Sequence, residues 1–185
     1  MKTQSATALI DSLEDQVEQH LRDAIKIFQN LSEEELLKPA DNGGWSIAQC
    51  LWHLNSYGNY YLPQIEKGLA KGYPKNTVFK STWFGNYFTN TMKPGPKMKK
   101  YSAFKNHLPP ASLKAHAVVA EFIQQQEKLL GFLKASVNTD LNKVRIPISI
   151  MQWFKLKLGD VFQFIIAHDE RHVQQAMRNL KSNQV

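Results

Sequence analysis

Apolar residues recur along this chain at spacings of three and four, in four long stretches kept apart by proline, glycine and polar clusters. The first covers residues 6–30, where Leu9, Leu13, Val17, Leu21, Ala24 and Phe28 fall on one helical face. The second opens at Ser46, with Gln49 three residues on completing a capping box, and continues through Ile47, Leu51, Leu54, Tyr61, Ile65 and Leu69. Pro63 falls inside it and is expected to kink it. The third covers residues 111–136, with Pro110 near its first turn and Val119, Ile123, Leu130 and Leu133 on one side. The fourth starts near Asp160, where Asp160 and Gln163 repeat the cap pattern, and ends near residue 181. Such stretches make helices of about 25 to 39 Å. They predict an all-α fold, an antiparallel four-helix bundle with a long irregular connection between the second and third helices, in a single domain spanning residues 1–185.

The connections differ in character. Residues 31–45 include a short helical-looking piece at 32–36. The link between the second and third helices carries Trp83, Phe84, Tyr87, Phe88, Tyr101 and Phe104, too aromatic for a free linker and too broken by glycine and proline for a long helix. A connection of that length is expected to be functional or to pack as a lid. Residues 137–159, with Ile146-Pro147-Ile148 and Trp153-Phe154, fit either a short extended piece or a helical turn.

Composition narrows the class. With 185 residues, 43% of them hydrophobic, a net charge of +7 and one cysteine, the chain can bury a core and has no internal disulfide framework. No apolar run approaches the roughly 20 residues that span a bilayer, and the start lacks a signal-peptide pattern, so a cytoplasmic location is expected. The charge is uneven: between Glu66 and Glu121 there are ten lysines and no acid. A solvated connector accounts for this, and an anionic small molecule, a membrane surface or nucleic acid could exploit it. Nine of those lysines lie outside the third helix, none of the ten basic residues is an arginine suited to base edges, and no helix-turn-helix pattern is present, which argues against nucleic acid.

The chemistry concentrates in the fourth helix. At 100° per residue His168 and His172 share a face with Val161, Ile165 and Ala176, so both rings point inward one turn apart, close enough to share a metal ion. A lone inward histidine is usually a hydrogen-bonded core group; a buried pair needs something to satisfy it. A metal would need a third ligand from another helix, and His53, two turns into the second helix at the edge of its apolar stripe, is the best placed. Gln49 and Tyr57, one turn either side of His53, are expected pocket walls, closed over by the connector's aromatic residues. His20 and His116 fall on or near inward stripes, His107 is expected to be exposed, and Cys50 reads as a small buried hydrophobe. Asp169 and Glu170 lie off the histidine face, though Asp169 could orient a ring.

The motif W-S-x-x-x-x-L-x-H-L, from Trp45 to Leu54, followed by His168-x-x-x-His172 and Gln174-Gln175 on the last helix, resembles the DinB-like superfamily, also called YfiT-like metalloenzymes. The resemblance covers nearly the whole chain. It implies a four-helix bundle that holds a divalent metal, zinc or nickel above all, on His53, His168 and His172, with a fourth coordination position open. Similar proteins include thiol S-transferases that use bacillithiol or mycothiol, a maleylpyruvate isomerase and hydrolases, and many form homodimers. The resemblance therefore implies a metal-dependent transferase or hydrolase acting on a small-molecule substrate, with a low-molecular-weight thiol as a possible cofactor. Its catalytic residues beyond the metal ligands are not implied. The competing reading is a non-catalytic helical bundle that binds a small ligand or protein partner and uses the histidines as a buried hydrogen-bonded cluster.

Overall fold

The computed structural model describes residues 3–95 and 102–182. Lys97, Lys99, Lys100 and Tyr101 of the connector lie outside the described residues. In chain order the elements are β1 (Thr3–Ser5), α1 (Ala6–Lys26), α2 (Glu33–Leu37), α3 (Ile47–Leu69), β2 (Val78–Lys80), α4 (Trp83–Met92), α5 (Ala115–Ser136), β3 (Arg145–Ile148), β4 (Met151–Lys157) and α6 (Leu158–Ser182). The four long helices α1, α3, α5 and α6 form a four-helix bundle. α1 packs on α5 and α6, and α3 packs on the same two, so α1 lies diagonally opposite α3. A chain crossing to a diagonal partner needs a long link, and residues 27–46, with α2 inside them, supply it.

The helix starts show how local chemistry sets the boundaries. Ser46 and Gln49 form the expected capping box of α3, with the Ser46 amide donating to Gln49 Oε1 at 3.0 Å and the Gln49 amide to Ser46 Oγ at 3.1 Å. A second capping box, Ser32 with Glu35, starts α2. Two expected starts are corrected. α5 begins at Ala115 rather than near 111, because its first free amide donates to Glu33 Oε1 of α2 at 2.7 Å; the cap comes from another element. α6 begins at Leu158, and Asp160 is no cap: it lies inside the first turn with its carboxylate turned to α4. α3 runs unbroken through Pro63.

Residues 145–157 form a β-hairpin, β3 against β4, which pairs Ile146 with Leu156 and buries both. β1 pairs with β2, Gln4 opposite Phe79, which ties the start of the chain to the connector. The connector's ordered core is α4, which packs along α6. Its attachment is the fully buried Asp160, which accepts from Ser81 Oγ at 2.5 Å, Thr82 Oγ1 at 2.7 Å and the Thr82 amide at 3.1 Å. Gly85 permits this approach, since a Cβ there would lie 2.1 Å from Asp160 Cγ. No helix among the described residues is long and apolar enough to cross a membrane.

Candidate metal centre

The core falls into two hydrophobic clusters, one built around Tyr57–Ile65 of α3 and Val161–Ile166 of α6, the other around Ile47–Leu54 of α3 with Val173 and Ala176 of α6. Between them runs a layer of buried polar side chains to which each bundle helix contributes: His20 from α1, His53 and Asn55 from α3, Gln126 from α5, and His168 and Asp169 from α6. Buried polar groups must be paired or they cost free energy, and this layer divides into two halves on opposite sides of α6.

The half facing α1 and α5 finds partners within the protein for most of its polar atoms, His20 Nδ1 and Gln126 Oε1 being left without one among the described residues. His20 Nε2 donates to Glu170 Oε2 at 2.8 Å, and Gln126 Nε2 donates to Asp169 Oδ2 at 3.0 Å. The bond from His20 holds the Glu170 carboxyl below the usual range, while burial pushes that of Asp169 up to about 6. His20 is thus a hydrogen-bonded core histidine. His116, expected near an inward stripe, is instead exposed at the end of α5 beside Glu33.

The other half brings His53, His168 and His172 together, with their donor atoms all within 4.8 Å of one another. His53 Nε2 and His168 Nε2 are 3.1 Å apart, near the roughly 3.3 Å that two ligands with bonds of about 2 Å adopt in a tetrahedral shell. The outward nitrogens fix the tautomers. His53 Nδ1 donates to the His107 carbonyl at 2.7 Å, and His172 Nδ1 donates to Gln175 Oε1 at 3.0 Å, so each neutral ring turns an Nε2 lone pair toward the others. Burial, above all, lowers the basicity of the rings: His53 to about 4, His172 to about 3, and His168 well below its ordinary value. Neutral imidazoles are the form that binds a metal. Orientation, protonation and donor type therefore all fit a divalent ion.

His107 corrects an expectation. It is buried, because the connector folds back and stacks it on Tyr57 with ring centroids 3.8 Å apart. Ser56 Oγ donates its proton to the His53 carbonyl at 2.6 Å and so accepts from His107 Nδ1 at 2.8 Å. The connector thereby supplies both the acceptor for His53 and a clamp on it. Cys50 is fully buried, its thiol pushed up to about 12 by burial.

The three histidines line a cavity of about 870 Å³. Tyr57 lines it too, its ring edge-on to His168 at 4.6 Å and its hydroxyl pushed by burial up to about 12, so it remains a donor. Gln49 does not line it; its side chain is committed to the capping box. Of the connector aromatics Tyr87, Phe88 and Phe104 reach the cavity, whereas Trp83 points away and is 65% exposed. Two residues not anticipated stand beside the three histidines. Trp45, just before the Ser46 cap, lies 4.9 Å from the His53 ring and 5.8 Å from that of His172. Arg171 follows His168 by three residues, a spacing that puts it on the same side of α6.

The ring environments predict an acid-labile fold. Each of the three rings titrates lower in the folded protein than its ordinary 6.5, so between that pH and about 4 the unfolded chain binds more protons. Stability present above pH 6.5 is lost on acidification, by up to about 1.4 kcal/mol per pH unit for each ring. Asp169, raised from 3.8 to about 6, has the opposite sign and offsets one ring between those values. Urea midpoints of chelator-treated protein should fall steadily from pH 6.5 to 4.5; a level profile would contradict the buried neutral trio.

A helical bundle that turns three neutral imidazoles into an open cavity defines a class, helical proteins with a three-histidine cluster able to hold a metal ion. The chain belongs to the DinB superfamily, whose sequence profile matches residues 16–176. Among solved structures it is similar in fold to YfiT from Bacillus subtilis, described as a probable metal-dependent hydrolase with an unusual four-helix bundle topology. The TM-score is 0.56 at 14% identity, over 97% of this chain and 87% of that one. No curated protein matches the chain in sequence.

Proposed function

We propose that this protein is a divalent-metal-dependent hydrolase of small molecules, with His53, His168 and His172 as the metal ligands and zinc or nickel as the ion. The observation that carries the reading is the convergence of three neutral imidazole donors on the wall of a cavity large enough for a substrate. Structural zinc sites are closed by four protein ligands; three with space beside them suit catalysis. The description of YfiT as a probable metal-dependent hydrolase points the same way. A bound divalent ion supplies Lewis acidity, acidifying water and polarising an acyl oxygen. The protein's own groups do the rest: the His107 carbonyl and Gln175 hold two of the rings in register, Tyr57 offers a hydroxyl proton to negative charge developing on the substrate, and Phe88 and Phe164 exclude bulk water.

Thiol transfer is the second reading, with a small external thiol taking the place of water at the same ion. The thiol must be external because Cys50 is sealed in the core with its proton held. Elemental analysis of freshly purified protein should find about one equivalent of zinc or nickel. A chelator should abolish hydrolysis of small aryl esters or amides, and the ion should restore it. Product carrying an added thiol would favour transfer. Protein without metal, and with a melting temperature indifferent to chelator, would establish the non-catalytic bundle instead.

A further inference from the structure

The cavity is polarised along α6. Its lining stripe runs from Phe164 at the first end, through His168, Arg171 and His172 in the middle, to Gln175, Arg178 and Asn179 at the last. The apolar end is completed by Tyr61, Phe88, Ile148 and Leu156. At the level of the imidazoles Arg171 is buried and held in place, its Nη1 donating to the Thr91 carbonyl of α4 at 3.2 Å. Arg178 is exposed, lines the cavity and forms no ion pair among the described residues. Helical side chains lean toward the N-terminus, so Arg178 inclines back toward His172. The described lining includes one carboxylate, Asp41, on an exposed loop. A guanidinium fork matches a carboxylate or phosphate.

We propose that the ligand of this cavity is an amphipathic anion: an apolar body seated among Phe88, Phe164 and Leu156, and a compact oxyanion head, carboxylate or phosphate, bound by Arg178. This rests on the metal-centre reading only for the position of the reacting bond, which falls between the two ends. Arg178 follows His172 by six residues, about 9 Å along the axis, and Phe164 precedes His168 by four, about 6 Å. Head and reacting bond are therefore separate parts of one molecule.

The test is calorimetric binding of 8-phenyloctanoate, 8-phenyloctyl phosphate and the neutral 8-phenyloctanamide to chelator-treated protein, so that no head group can bind a metal. Both anions should bind about tenfold more tightly than the amide, as charge-assisted hydrogen bonds to a guanidinium allow. The tighter of the two identifies the head. Substitution R178Q should remove most of that preference by weakening the anions more than the amide, while R178K keeps charge without the fork and retains part of it. Equal binding of anions and amide, or a preference untouched by R178Q, overturns the assignment. Uptake of zinc or nickel added back to the same chelator-treated protein, after the chelator is removed, separates the two claims. Anion preference without metal uptake supports this inference and removes the metal centre; metal uptake without preference does the reverse.

Discussion

Replacing His168 and His172 together by alanine should empty the centre of metal and leave the bundle folded. If a site of this kind binds its ion with about 10 kcal/mol, each of three ligands carries roughly a third, or a factor of several hundred in affinity. Loss of two reduces affinity by at least about ten-thousandfold, below retention through purification. The fold should persist because neither ring joins the two apolar clusters: both sit in the polar layer between them, and α6 stays packed through Val161, Ile165, Val173 and Ala176. The variant also loses two of the rings that penalise the folded state in acid, so its urea midpoint should vary less with pH than that of the parent. Circular dichroism and elemental analysis on the same sample check both halves. Undiminished metal content would remove the three-histidine centre.

His53 is the histidine of the trio whose burial is hardest to read from sequence, and the reason is physical. A helical wheel averages the apolar direction over the whole of α3, whereas α3 contributes to two clusters, with Ile47, Leu51 and Leu54 in one and Tyr61, Leu62 and Ile65 in the other. A residue at the seam between them looks peripheral on the wheel and is 3% exposed in the fold. The four bundle helices were legible because each carries one continuous 3.6-residue period. What was not legible depends on contacts distant in sequence. The start of α5 is set by Glu33, 82 positions away, and the burial of His107 by Tyr57. Asp160 followed by Gln163 reads as a cap, but the carboxylate is taken by Ser81 and Thr82, which no local pattern reveals. The hairpin was undecided because Ile146-Pro147-Ile148 is too short for either period to show, and pairing with β4 decides it.

The polar layer also explains why one bundle holds both a paired and an open set of histidines. His20 has Glu170 within reach and needs no metal. His53, His168 and His172 have one another and the cavity, and three neutral rings offer more acceptors than donors at their meeting point. The His53–His168 contact can hold one proton between two nitrogens. A cation resolves that surplus of lone pairs in a way that further hydrogen bonding among the rings cannot.

Removing the carboxylate of Asp160 should produce the largest loss of stability from a single polar side chain. It is fully buried and accepts three hydrogen bonds from the residues that start α4, so Asp160→Ala leaves the Thr82 amide and two hydroxyls short of a partner inside the protein. Bonds to a charged acceptor contribute about 1.5 to 3 kcal/mol each and are not additive, so the expected cost is about 3 to 5 kcal/mol. For a chain of this size that is a fall in melting temperature of roughly 10 °C. The consequence should reach the cavity without reaching the metal. Phe88, Thr91 and Met92 of α4 form part of the cavity wall, and the Thr91 carbonyl holds Arg171, whereas His53, His168 and His172 belong to α3 and α6. The variant should therefore keep its metal and its helical content at low temperature, and lose binding of amphipathic ligands. Asp160→Asn, which keeps the shape and one acceptor oxygen, should fall between the two. A melting temperature within about 2 °C of the parent for Asp160→Ala would show that α4 is held by its packing on α6 alone.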